Sequence, residues 1–177
     1  ANNSTNGSEL WKSDGTTAGT VLVKDIVAFS GSSSPANLTV VGSTLFFSAN
    51  DGVNGVELWK SDGTTAGTVI VANINTTAGA SSSPANLVNV AGMLFFTAND
   101  GVNGAELWKS DGTVEGTAIV KDIVAGITSS SPTLLTAERT REACTLPRPL
   151  SRLYPHDSNA SAEVSAIASA KRSSART

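Results

Sequence analysis

Aspartate recurs at fixed places in this chain: Asp14, Asp62 and Asp111 each stand in Ser-Asp-Gly-Thr, while Asp51 and Asp100 each stand in Ala-Asn-Asp-Gly. Carboxylates so placed could bind calcium, act as the acid and base of glycoside hydrolysis, or cap turns. A calcium loop sets oxygen ligands at alternating positions, as in Asp-x-Asp-x-Asp-Gly, whereas these carboxylates are isolated beside glycine. A catalytic acid is usually singular, and each of these has a copy. Turn capping fits the pattern best. The tryptophans repeat too, as Trp11, Trp59 and Trp108. An exposed indole stacks on sugars, but an indole inside an apolar strand is expected to pack between repeats.

Other chemistries find less support. Cys144 would need His156 beside it in a pocket to act as a nucleophile, and His156 has neither a second His nor a Cys pair for zinc. The glycines punctuate turns and lack the Gly-Lys-Ser/Thr ending of a phosphate loop. No catalytic, cofactor-binding or metal-ligating residue is assigned on these grounds.

The elements that carry these residues are written in copies. Glu-Leu-Trp-Lys-Ser-Asp-Gly-Thr begins at Glu9, Glu57 and Glu106, and successive tryptophans lie 48 and 49 residues apart. Such a period falls in the range of propeller blades and of some helical arrays. The units contain four short runs rich in Val, Leu, Ile, Phe and Thr, bounded by Gly, Asn, Asp and Ser, which are strands. Asn54-Gly55 and Asn103-Gly104 suit a tight hairpin between the second and third strands, and Gly63 and Gly67 suit positive backbone angles in the next turn. Both faces of each strand are apolar: Leu45 and Phe47 oppose Phe46, and Val23 opposes Leu22 and Ile26. A sheet wet on one side would alternate apolar and polar residues. The expectation is an all-β fold of four-stranded antiparallel units of about 48 residues, stacked face to face as β-propeller-like blades in an incomplete or open propeller.

Residues 1–132 form the repeat region, with a half unit at 9–26 and full units at 37–74 and 86–123. Residues 133–177 form a divergent tail, disordered or carrying a short helix with Val164 and Ile167 on one side. The two regions differ in charge. Up to Pro132 there are five Lys, no Arg and eleven acids, a balance of −6; from Thr133 there are six Arg, one Lys and four acids, a balance of +3. An acidic repeat region gives no basic face for nucleic acid. No run of eighteen apolar residues is present, so no membrane span is expected. The chain starts in mid-repeat without an initiating Met, as a processed product or an excised piece would.

With Glu9–Thr20, Glu57–Thr68 and Glu106–Thr117 in view, the chain resembles the bacterial ELWxxDGTxxGT-repeat family. The Val-Lys-Asp-Ile segments at Val23 and Val120, the Ser-Ser-Ser-Pro loops, and Leu-Phe-Phe at Leu45 and Leu94 belong to the same resemblance, which spans roughly Asn2 to Pro132. It implies propeller-like blades and a secreted or cell-surface setting. Two functions are expected from these features. One is a non-enzymatic structural or adhesive module that contacts proteins, glycans or other copies of itself. The alternative is a fragment of a propeller-type extracellular hydrolase whose catalytic residues lie outside this chain.

Overall fold

The computed structural model describes residues 1–139 and 164–169. Among these there is no helix. The strands are β1 (Asn2–Asn3), β2 (Gly7–Ser8), β3 (Leu10–Lys12), β4 (Val21–Lys24), β5 (Ala36–Val41), β6 (Thr44–Asn50), β7 (Val56–Ser61), β8 (Val69–Ala72), β9 (Ala85–Val90), β10 (Met93–Asn99), β11 (Ala105–Ser110), β12 (Ala118–Lys121), β13 (Thr133–Arg139) and β14 (Val164–Ser169). They form two four-stranded antiparallel sheets, β5-β6-β7-β8 and β9-β10-β11-β12, each in sequence order. The pairs β1-β2, β3-β4 and β13-β14 form two-stranded sheets. The all-β expectation and the four-stranded antiparallel units are therefore present.

Register follows from the apolar runs. Phe47 lies opposite Trp59, and Phe96 opposite Trp108, so the largest side chains of neighbouring strands share a face. A register shift between Leu58 and Trp59 in the β7-β8 ladder recurs between Leu107 and Trp108 in β11-β12.

The connections differ in part from expectation. Asn54-Gly55 does not close a two-residue hairpin; the link from β6 to β7 runs over residues 51–55 and is organised by Asp51. Its Oδ1 accepts from the backbone N–H groups of Val53 at 2.9 Å and Asn54 at 2.7 Å, and Oδ2 accepts from Asn54 Nδ2 at 2.7 Å. Gly55 is required there on two counts: its φ is 76°, and a Cβ would lie 2.5 Å from the Ala80 carbonyl oxygen. Gly67 is needed for a different reason from the one expected. It is not in the left-handed region; a Cβ would collide with the carboxylate of Asp62.

Two apolar clusters account for the core. Phe46, Leu58, Val71 and Ile74 from β5-β8 and its exit loop meet Leu94, Phe96, Ala98 and Trp108 from β9-β12. Phe47, Ala49 and Trp59, from the opposite face of β5-β8, meet Leu10 and Val23 from β3-β4. Adjacent residues of β6 thus enter different cores, as their period-two alternation requires. Each fully buried Phe or Leu contributes about 1.5–3 kcal/mol, so these two seams dominate the stability of the array.

Polar contacts stitch the same seams. β9 lies beside both β5 and β13. Thr39 Oγ1 donates to the Leu87 carbonyl at 3.3 Å, and Asn89 Nδ2 donates to the Val40 carbonyl at 3.1 Å. Asn37 and Asn86 hold left-handed backbone at φ 55° and 54°, and their amides reach the carbonyls of Pro84 and Pro132 respectively. Asparagine tolerates that conformation because its short polar side chain bonds locally.

The divergent region enters this pattern as a strand. Thr133–Arg139 pairs antiparallel with Val164–Ser169, so the expected helix around Val164 and Ile167 is replaced by β14. The physical reason is that the alanine- and serine-rich segment has a thin apolar face, while β13 offers backbone partners. Leu134 stands where Asn37 and Asn86 stand, also left-handed at φ 56°, but its side chain is exposed and has no amide to bond. The remaining residues expected to be disordered or helical, with Cys144 and His156, lie outside the described residues.

Candidate functional site

The most concentrated polar chemistry lies in three buried carboxylates that attracted no attention as candidates in the sequence. Glu57 is fully buried in β7, opposite Ala49 of β6. Its Oε1 accepts from the Ser82 N–H at 2.9 Å, and its Oε2 accepts from the Ile74 N–H at 2.9 Å and from Ser82 Oγ at 2.5 Å. Glu9 repeats the arrangement: Ser33 N–H at 2.9 Å, Ser33 Oγ at 2.5 Å and Ile26 N–H at 3.0 Å. Glu106 accepts from the Ser130 N–H at 2.8 Å, the Ile123 N–H at 3.2 Å and Ser130 Oγ. Each carboxylate joins the third strand of its unit to the loop that leaves the fourth and to the Ser-Ser-Ser-Pro loop.

The backbone is bent to serve this clamp. Ser34, Ser83 and Ser131 precede proline, yet adopt φ of 48°, 49° and 45°. Such left-handed residues cost of order 1–3 kcal/mol and persist where surrounding bonds over-determine them. Here the Ser83 N–H donates to the Val56 carbonyl at 3.1 Å, Ser81 Oγ accepts from the Val56 N–H at 2.8 Å, and the Ser82 carbonyl accepts from the Asn99 N–H of the following sheet at 2.9 Å. The loop is therefore pinned to its own sheet and to the next. Burial pushes the Glu57 carboxyl above the ordinary range, against the opposing pull of Ser82 and Ile74, whose donors favour the anion.

A Ser–Glu contact of this kind resembles a nucleophile beside a base. Ser82 and Glu57 are nevertheless shut off from solvent, and every donor around the carboxylate is spent on it. What the arrangement can do is hold loops.

The repeated aspartates are engaged in turns. Asp62 Oδ1 accepts from the Thr64 N–H at 2.8 Å and from Thr64 Oγ1 at 2.7 Å, and Thr64 Oγ1 in turn accepts from the Gly67 N–H at 2.9 Å. Asp14 and Asp111 do the same with Thr16 and Thr113. The threonine hydroxyl and then the threonine N–H hold these exposed carboxyls below the ordinary range. For Asp51 and Asp100 partial burial pushes upward, but the N–H groups of Asn54 and Val53, or Asn103 and Val102, outweigh it and the carboxyls lie low. Among the described residues, no three His, Cys, Asp or Glu side chains gather as metal ligands would.

Trp59 and Trp108 are buried in the two cores, and Trp11 is half-buried. The packing between sheets is therefore seen for Trp59 and Trp108, neither of which has a flat indole face open to a sugar, while Trp11 lies outside both clusters. All three indole nitrogens are buried without an acceptor among the described residues. No helix among the described residues is long and apolar enough to cross a membrane.

The buried glutamates left one signal in the sequence: an acidic residue directly before Leu-Trp in an apolar strand, repeated with a Ser-Ser-Ser-Pro loop 24 or 25 residues later. No protein-family model, curated protein or solved structure matches this chain.

Proposed function

We propose that this chain is a non-enzymatic structural or adhesive module, secreted or displayed on a cell surface, whose sheets are propeller-like blades of an ELWxxDGTxxGT-type repeat. The observation that carries this is the engagement of eight of the ten repeated carboxylates: three clamp loops from within the core, and five cap turns, the other two being Asp25 and Asp122. Side chains with structural partners in each copy support scaffolding over turnover. The sharing of two apolar cores between successive sheets supports blades that cover one another. Such an array presents turns and sheet edges as a stiff contact surface.

The test pairs a glycan array with a panel of chromogenic glycosides and esters, using the full chain. Saturable binding to a glycan or to an immobilised copy of the chain, with no turnover, is the expected result. Turnover that disappears when one acid is changed, as in Asp62→Asn or Asp111→Asn, would instead establish the hydrolase alternative.

A further inference from the structure

Asn-Gly occurs three times in the chain, at Asn6, Asn54 and Asn103, each time just ahead of the Glu-Leu-Trp segment. Glycine makes the pair reactive, because without a Cβ its backbone nitrogen can reach the carbonyl carbon of the asparagine side chain. We infer that Asn103-Gly104 is a self-modification site, which reacts ahead of its copy at Asn54-Gly55. The Gly104 nitrogen bonds to Asn103 Cγ and gives up its proton, the Cγ–Nδ2 bond breaks, and ammonia departs from a five-membered imide. Water then opens either carbonyl of that ring, giving aspartate or isoaspartate.

The three copies differ in how the amide is held. A side-chain amide has an N–H end and an oxygen end, so holding both takes one acceptor and one donor. Asn54 has both: its Nδ2 donates to Asp51 Oδ2 at 2.7 Å, and its Oδ1 accepts from Asn73 Nδ2 at 3.2 Å. Asn6 has them in exchanged places, donating to Asp25 Oδ2 at 2.9 Å and accepting from Asn3 Nδ2 at 3.3 Å. One Asp and one Asn thus flank the central amide in each of these copies. Asn103 is flanked by two acids, Asp100 and Asp122, which stand where Asp51 and Asn73 stand. Its Nδ2 donates to Asp100 Oδ2 at 2.7 Å, but its Oδ1 receives no hydrogen bond among the described residues. Asp122 has no N–H in its side chain to offer; its Oδ2 accepts from the Gly126 N–H at 3.1 Å, and its Oδ1 is buried without a partner among the described residues.

Reaction requires Asn103 Cγ to swing onto the Gly104 nitrogen, so the bonds that hold the amide must open first. The population of that locally opened state sets the rate. One hydrogen bond fewer raises it about fivefold. The two sites are otherwise alike. The sequence is Asn-Asp-Gly-Val-Asn-Gly in both, and the Asn54 and Asn103 N–H groups each donate to the preceding Asp at 2.7 Å.

The product does not fit the place in which it forms. A carboxylate at position 103 would face Asp100 Oδ2 as a like charge, where Nδ2 now donates. Isoaspartate routes the backbone through the side chain and adds a carbon where there is no room: a Cβ on Gly104 would lie 2.8 Å from the Ile127 carbonyl oxygen and from the Ser129 nitrogen. The modified turn therefore cannot settle back, and the link from β10 to β11 is loosened.

To test this, the full chain is held in mildly alkaline buffer and digested, and conversion at residues 54 and 103 is followed by peptide mass spectrometry. Asn103 is expected to convert about fivefold faster than Asn54 in the folded chain, and at the same rate in urea, where only the shared local sequence acts. The flanking residues can then be exchanged. Asp122→Asn should slow Asn103 to the Asn54 rate, and Asn73→Asp should raise Asn54 to the Asn103 rate. Each variant carries a residue that another copy already carries at that place, and circular dichroism verifies its fold. Equal rates in the folded chain, faster conversion at Asn54, a gap that persists in urea, or folded variants that leave both rates unmoved would overturn the assignment.

Discussion

The sheets β5-β8 and β9-β12 have almost the same sequence but not the same surroundings. Phe46, Leu58, Val71 and Ile74 of the first are buried in the seam with the second. Phe95, Leu107, Val120 and Ile123 are their counterparts in the second, and these are half-buried or exposed. The glutamate clamp, by contrast, is buried alike in both. What differs is the neighbour, not the residue. Local features that close within one unit are fixed by the repeat, while the burial of a sheet face depends on place in the array.

This contrast can be broken most severely at the clamp, where the two sheets should behave alike. Glu57→Ala leaves the Ser82 and Ile74 N–H groups and the Ser82 hydroxyl without their acceptor, at about 1–3 kcal/mol for each unsatisfied group. A loss of about 4 kcal/mol or more is expected in urea unfolding, and Glu106→Ala should come close to it. A loss under about 1 kcal/mol at either site would show that the loops are held by something else.

The second test separates the two sheets. Leu58→Ala opens a cavity in a closed core and should cost about 2–5 kcal/mol, whereas Leu107→Ala, at a half-buried position, should cost under about 1 kcal/mol. Equal losses would mean that the face of β9-β12 is covered within one chain.

A smaller effect is expected from the seam lysines. Lys60 Nζ donates to the Gly112 carbonyl at 2.7 Å across the seam, while Lys109 has no such partner among the described residues. Lys60→Met should lower stability by about 1 kcal/mol, and Lys109→Met by less than about 0.5 kcal/mol. Matching urea midpoints for the two variants would remove the seam bond from the account.

The smallest effect concerns acid. Because the Asp51 and Asp100 carboxyls lie below their unfolded values, the unfolded chain takes up protons first as pH falls. Their contribution is complete above the unfolded value near pH 4 and is lost as pH drops through the lower folded value. Glu57 runs the other way. Its raised carboxyl contributes most below the unfolded value, and that contribution fades as pH rises through the folded one. Asp51→Asn should change stability at pH 7 by less than about 0.5 kcal/mol and flatten the acid limb of the urea midpoint. Asn3 shows that the amide can serve, since its Oδ1 accepts from the Thr5 and Asn6 N–H groups. An unaltered acid limb would place the proton uptake elsewhere.

Much of this was legible in the residues. The period-two placement of Leu45, Phe46 and Phe47 announces two apolar faces, and the structure divides them between two cores as that placement demands. The turn role of Asp62 was legible for the same reason: Asp-Gly-Thr satisfies its bonds within a few residues. The clamp was not, because Glu57 is separated from Ser82 by 25 residues and looks like an ordinary strand acid until the loop folds over it. Nor was the strand at Val164, since its pairing with β13 is set by backbone bonds rather than by side-chain pattern.

By itself, the sequence determined strand identity, the apolar nature of both faces and the chemistry of each turn, because these depend on period and on contacts a few residues apart. Only the tertiary structure decided which faces are covered and which serines meet the buried glutamates. Those outcomes depend on groups distant along the chain being brought within a few ångströms, and near-identical copies cannot reveal which of them has a neighbour.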